Sequence, residues 1–356
     1  MSAATSPSGS SDQGLRYRDA GVDIDAAERA LDQSKAAIRA TFGPRVLADV
    51  GSFGGLFRAD GLGEEPVLVA TADGVGTKVR IASAVGRFDT VGWDLVNHCI
   101  NDALVQGARP LFFLDYIGVG RLVPEQVAAL LQGLAAACKS HGVTLLGGET
   151  AEMPGVYPAG EFDLVGTLVG VVERRHILDG SRVQAGDRLL GLASNGLHTN
   201  GYSLARRIVE ERMGLSYDDL FPGLSDQTVA EVLLEPHRCY LPLLQELLTH
   251  PGLHALAHIT GGGVPGNLPR VLPGHGAEVS RTAVPELPVF STLVEAGAVA
   301  KDEAWRAFNM GVGMILVVDS ASEDEIRGRL EAAGEAVFAL GQVTRTPGVQ
   351  WLDASA

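Results

Sequence analysis

Apolar positions along the chain fall into two kinds of run. "PVLVATA" (66–72), "PLFFLDYIG" (110–118), "VTLLGG" (143–148) and "FDLVGTLVGVV" (162–172) are short, dense in aliphatic and aromatic residues, and predict strands. Between them, "DTVGWDLVNHCINDALVQG" (89–107) and "PEQVAALLQGLAAACKSHG" (124–142) repeat apolar residues every three or four positions and predict helices. The alternation restarts after a polar stretch around Ile177, with strands at 187–194, 253–259, 312–319 and 336–343 and helices at 202–214 and 323–334. The pattern predicts an α/β protein with mixed sheets and two domains, 17–176 and 177–356, behind a small-residue, polar tail at 1–16 expected to be disordered. Strands "PLFFLDYIGVG" and "FDLVGTLVGVV" are apolar at nearly every position, so they are expected to be buried on both faces, one of them at a contact between two copies of the chain.

Length and composition agree with this division. A chain of 356 residues exceeds one compact core, and 45 glycines with 46% hydrophobic residues suit a turn-rich enzyme. The net charge of −15 opposes a phosphate backbone, which argues against nucleic acid as a partner. Cys99, Cys138 and Cys239 are far apart with no CxxC spacing, so neither a disulfide framework nor a zinc site is expected, and a reducing cytoplasm fits. No apolar run has the length of a membrane span.

Several segments carry candidate chemistry. In "TADGVGTK" the strand is expected to end at Thr71, leaving Asp73, Gly74, Gly76, Thr77 and Lys78 on a loop where glycines admit a ligand and Asp, Thr and Lys meet a cation or phosphate. The same composition also serves ordinary turns, and the spacing is not that of a Walker A loop. The 90–107 helix sets Asp94, His98, Asn101 and Asp102 opposite its apolar stripe, where a solvated face normally prefers Glu, Lys, Gln and Arg. A closed, oxygen-rich site explains that choice, and so does a merely polar helix face. After "LLGG", Gly148 leads to Glu149, Thr150, Glu152 and, further on, Asp163, an acidic set fit to surround Mg²⁺ or simply to face solvent. "ASNGLHTNGYS" holds Ser194, Asn195, His198, Thr199 and Asn200 before a helix, a place where helix N–H groups meet an anion and His198 offers a proton. "HITGGGVPGN" repeats that plan, with Gly261, Gly262 and Gly263 before a helix expected near Asn267.

Taken together and in order, "GVDIDA", "DGVGTK", "VNHCINDALVQGARPLFFLDY", "GGETAEMPGVY", "NGLHTNGYS", "HITGGGVPGNLPRVLP" and "FNMGVGM" closely resemble the aminoimidazole ribonucleotide synthetases, the phosphoribosylformylglycinamidine cyclo-ligases of purine biosynthesis. The resemblance runs from Gly21 to near the end of the chain. It implies a homodimer whose N-terminal-half strands form a barrel at the interface, with ATP and Mg²⁺ as cofactors and formylglycinamidine ribonucleotide as substrate. Under it Asp73, Asp102 and Glu149 are metal ligands, with Gly74, Gly76, Thr77, Lys78, Asn101 and Gly148 around the nucleotide. Lys35 matches a lysine near the nucleotide, and His198 with Asp102 is placed in the chemistry. Ser194, Asn195, Thr199, Asn200 and Gly261 to Gly263 are expected to hold the substrate. Related small-molecule kinases share the aspartates but not the intact "GGETAEMPG" and "HITGGGVPGN" motifs, and a non-catalytic relative is expected to lack Asp73, Asp102 or His198.

Overall fold

The computed structural model describes residues 22–52 and 54–352, so the expected tail and Gly21 of "GVDIDA" lie outside it. The first half opens on helix α1 (Ile24–Arg39), whose N-cap Asp23 accepts from the Ala26 N–H. Strand β1 (Pro66–Gly74) follows, then a single 3₁₀ turn Gly76–Lys78, α2 (Val79–Val85), α3 (Asp89–Leu104), β2 (Arg109–Val119), α4 (Pro124–Ser140), β3 (Thr144–Glu152) and β4 (Phe162–Glu173). The four strands form one sheet in the order β1-β4-β2-β3, antiparallel except for the β2–β3 pair.

One face of this sheet buries Phe113, Ile117, Leu164 and Leu168 beneath α3 and α4. The two helices cross backbone to backbone: a Cβ on Gly133 would stand 2.1 Å from the Asp89 carbonyl oxygen, and one on Gly92 would stand 2.5 Å from the Leu134 nitrogen. The opposite face carries Ala70, Ala72, Phe112, Leu114, Tyr116, Val165, Thr167 and Val169 in register, and none of them is buried. Leu68, on the edge strand, is 63% exposed. The expectation that these strands are covered on both faces is therefore not met within one chain, and among the described residues the sheet is open with no barrel.

The second half contains β5 (Arg188–Ala193), α5 (Tyr202–Arg207) running on as a π-helical turn Ile208–Met213, a small hairpin β6 (Leu220–Phe221) and β7 (Leu224–Thr228), then β8 (Leu253–His258), β9 (Gly276–Val279), β10 (Val312–Val318), β11 (Val337–Thr344) and β12 (Gly348–Trp351). Its six-stranded sheet has the order β12-β9-β11-β5-β10-β8, with only β12–β9 parallel. Strands β8 and β10 are buried at every position. One hydrophobic cluster runs through both halves, joining Leu95 and Ile100 of α3 to Tyr240, Leu241 and Leu190.

Three expected boundaries move. Strand β1 continues to Gly74, with Asp73 paired to Gly166, so Asp73 sits on a strand and not on a loop. Strand β3 continues to Glu152, which puts Glu149, Thr150 and Glu152 on the sheet. The short helix after the glycines spans Gly263–Asn267 and so ends where it was expected to begin.

Candidate active site

Helix α3 has no solvated face: from Thr90 to Leu104 only Trp93 and Asp102 are more than marginally exposed. Its polar row instead binds the second half of the chain. Asp94 Oδ1 accepts from Lys78 Nζ at 2.8 Å and from the His237 backbone N–H at 2.7 Å. Asn97 donates to the His237 carbonyl, and Asn101 donates to the Arg238 carbonyl while accepting from the Tyr240 N–H. These buried amides satisfy the backbone of 237–240 and fix it against the helix.

The next turn of that row reaches a cleft of about 720 Å³ lined by Thr71, Asp73, Asp102, His258, Asn267 and Arg270 among others. Its two carboxylates are each held by an imidazole. His98 Nε2 lies 2.8 Å from Asp73 Oδ2 and 3.6 Å from Asp102 Oδ2, and His258 Nδ1 lies 2.8 Å from Asp102 Oδ1. His98 is oriented from behind by Thr199 Oγ1, 2.7 Å from its Nδ1. Burial pushes the Asp73 carboxyl up, but its hydrogen bond and charge pairing with His98 outweigh that and hold it below the usual range. Burial also opposes ionisation of Asp102, and the His258 contact again wins. His98 is raised: burial lowers it, and the two aspartates more than compensate. Both carboxylates thus stay anionic at neutral pH. With side chains 40% and 28% exposed, each keeps oxygen lone pairs open to the cleft.

Other expected site residues lie elsewhere. Lys78 is fully buried, and its ammonium donates to Asp94, to the Glu235 carbonyl at 2.7 Å and to the His198 carbonyl at 3.2 Å, which uses all three protons. A phosphate contact by Lys78 is thereby corrected: it ties the 76–78 turn to the second half. Lys35 pairs with Asp32 at 2.6 Å on α1 and does not line that cleft. Gly148 and Glu149 line a separate cavity of about 660 Å³ bounded by α1, α4, β2 and β3, so one chain does not bring Glu149 to Asp73 and Asp102. Asp115 shares that cavity, its carboxyl pushed up to about 7 by burial with the Glu149 charge adding to it.

The two glycine-containing loops do meet. Ser194 donates to Asn309, Asn195 donates to Glu235 and the Pro236 carbonyl, and Asn200 lies beside Gly261, where a Cβ would come within 3.1 Å of its Oδ1. Gly262 and Gly263 have φ of +95° and +60°, and a Cβ on Gly263 would overlap the Trp305 carbonyl, so Gly263 is required by packing. Thr77 and Ser203 hydroxyls are 3.0 Å apart across the two halves, and Gly76 (φ +69°) and Gly74 sit beside them in the β1 turn. His198 is 1% exposed and does not line the cleft, so it does not reach a substrate there as a proton donor. Two residues that hold the site, His237 and His258, were not selected from sequence. His258 belongs to the "HITGGG" motif, whereas nothing around His237 distinguishes it.

Known proteins place the chain firmly. Residues 55–172 match the model of the AIR synthase related protein N-terminal domain, and 184–352 match that of the C-terminal domain. A phosphoribosylformylglycinamidine cyclo-ligase of Geobacter sulfurreducens is 48% identical over 344 residues, covering 96% of this chain and 99% of the relative. Among solved structures, thiamine-monophosphate kinase of Stenotrophomonas maltophilia shares the fold with a TM-score of 0.70 at 20% identity, covering 92% of this chain and 97% of that one. The hydrogenase maturation protein HypE in complex with ATP shares it at a TM-score of 0.64 and 18% identity, covering 92% and 88%. The chain belongs to the phosphoribosylformylglycinamidine cyclo-ligase family.

Proposed function

We propose that this protein closes the imidazole ring of formylglycinamidine ribonucleotide at the expense of ATP, giving 5-aminoimidazole ribonucleotide, ADP and phosphate, as a C–N bond-forming ligase of purine biosynthesis. The observation that carries this reading is the pair of anionic, partly open carboxylates Asp73 and Asp102, each anchored by an imidazole, in a chain 48% identical to a cyclo-ligase over nearly its full length. The formyl oxygen of the substrate is a poor leaving group. Transfer of the γ-phosphoryl group to it breaks the terminal phosphoanhydride bond and forms an iminophosphate. The substrate's amidine nitrogen then attacks the formyl carbon, and the C–O bond breaks with release of phosphate. No protein nucleophile is needed, so the residues act by positioning and by charge.

Asp73 and Asp102 are the residues to hold Mg²⁺, which prefers oxygen donors and supplies charge neutralisation for the triphosphate. His98 and His258 are positioning residues that fix the two carboxylates. Asn101, through its bonds to 238 and 240, keeps that side of the cleft in place. Loop 194–200 and Gly261 with Gly262 offer backbone N–H groups and small side chains to the substrate's phosphate. The open apolar face of the first sheet is the surface for a second copy, and pairing two such faces completes a barrel. Glu149 then belongs to the nucleotide site only through the assembled dimer. Among the described residues no helix is long and apolar enough to cross a membrane.

Incubating the purified protein with formylglycinamidine ribonucleotide, ATP and Mg²⁺ is expected to yield an aminoimidazole detectable by diazotisation, with one ADP per product. ATP turnover without aminoimidazole would overturn the proposal.

A further inference from the structure

Behind the carboxylate pair, His258 meets two further imidazoles, His198 and His237, to which the proposed reaction gives no chemical role. His198, which follows β5, has a backbone φ of +61°, unusual for a side chain with a Cβ. Both of its ring nitrogens are buried with no hydrogen-bond partner. Buried polar atoms are nearly always satisfied, and an orphan carries the full cost of its desolvation. The ring stacks on that of His237 with centroids 4.0 Å apart and planes 21° from parallel. His237 Nε2 and His258 Nε2 form a hydrogen bond at 3.0 Å, and Asn101 Nδ2 lies 3.2 Å from His237 Nε2. The far nitrogens of these two are already engaged, His258 Nδ1 by Asp102 at 2.8 Å and His237 Nδ1 by Thr199 Oγ1 at 3.3 Å. Two Nε2 atoms therefore converge on one point, with a third, unpartnered imidazole beside them, and nitrogens of all three lie within 4.8 Å of one another.

We propose that His198, His237 and His258 form a three-imidazole site for a divalent transition ion of the Zn²⁺ or Co²⁺ type. Two nitrogens at 2.0–2.1 Å from a tetrahedral ion stand about 3.3 Å apart, so an ion replaces the His237–His258 hydrogen bond and the Asn101 contact with a small expansion from the 3.0 Å separation. His198 has to turn off its stack to bring a nitrogen to the same point, and it breaks no hydrogen bond in doing so. Asp102 behind His258 and Thr199 behind His237 are the second-layer acceptors that orient metal-bound imidazoles. An all-nitrogen set selects ions of this class over Mg²⁺, which keeps to oxygen, so the site differs in chemistry from the neighbouring carboxylate pair. His258 lines the cleft, which gives the ion its path in. With three protein ligands, a fourth position remains for water. This inference does not depend on the cyclo-ligase reaction.

The test is a Co²⁺ titration of the full-length, metal-stripped protein in excess Mg²⁺, which fills the oxygen site. One equivalent per chain is expected to give the intense visible bands of four-coordinate Co²⁺, and Zn²⁺ is expected to abolish them. His237→Gln and His198→Gln, checked for folding by circular dichroism, are each expected to weaken Co²⁺ by more than the about 10–100-fold typical of losing an outer partner. Asp73→Asn is expected to keep the bands. Absence of those bands in the wild-type protein would overturn the site without reference to any variant. So would bands that survive both histidine substitutions, or that vanish with Asp73→Asn alone.

Discussion

A carboxylate is useful to a cation only if it stays ionised while facing inward, and Asp73 and Asp102 manage this through His98 and His258. Asp73→Asn and Asp102→Asn keep shape and lose charge, so turnover is expected to fall by at least about 100-fold, equivalent to roughly 2.7 kcal/mol of barrier. Melting temperatures near that of the parent would show that the loss is chemical. Lys78 behaves differently. Lys78→Met leaves Asp94 buried without its cation and is expected to destabilise the fold by about 3–5 kcal/mol in urea, whereas changing Lys78 and Asp94 together to apolar residues is expected to recover part of that. Asp115 gives a pH signature. Below about pH 4 its carboxyl is protonated in folded and unfolded chains alike and costs nothing. As pH rises toward the folded value of about 7, only the unfolded chain ionises, so stability falls, and above 7 the loss is constant. Asp115→Asn removes this slope, and its stability relative to the parent is expected to grow by about 2–3 kcal/mol between pH 5 and pH 8 in urea titrations.

At the scale of elements, α3 and α4 and the sheet beneath them set the geometry of the site. The two helices approach until Gly133 meets the Asp89 carbonyl, and backbone cannot yield to a methyl group as a side chain can. The strands and long helices were legible because apolar periodicity records which face is covered. Their ends were not, because "DG" and "GGETAE" look like loop chemistry, while strand pairing, which keeps β1 and β3 extended through them, leaves no local trace. The doubly apolar strands leave Phe112, Leu114 and Val169 on a face that no other described residue buries. Leu68→Lys together with Val169→Lys on that face is expected to convert a dimer into a folded monomer by light scattering. A wild-type protein that is monomeric at micromolar concentration would remove the interface.

Across the whole molecule, one helix of the first half carries the side chains that organise the second. Asp73 and Asp102, the candidates that share one cleft, sit in ordered motifs of the sequence. Their partners His98, on the same helix, and His258, 156 residues beyond Asp102, are joined to them only by folding. The buried role of Lys78 was equally hidden, since a lysine after "DGVGT" looks free until the Glu235 carbonyl is seen to accept from it across 157 residues. In the proposed reaction this arrangement activates a formyl oxygen for departure as phosphate. Substrate labelled with ¹⁸O in the formyl group tests it most directly. One labelled oxygen is expected in inorganic phosphate for each ring closed, with no phosphorylated organic product accumulating; label released into water, or a stable phosphorylated product in place of the imidazole, would contradict this.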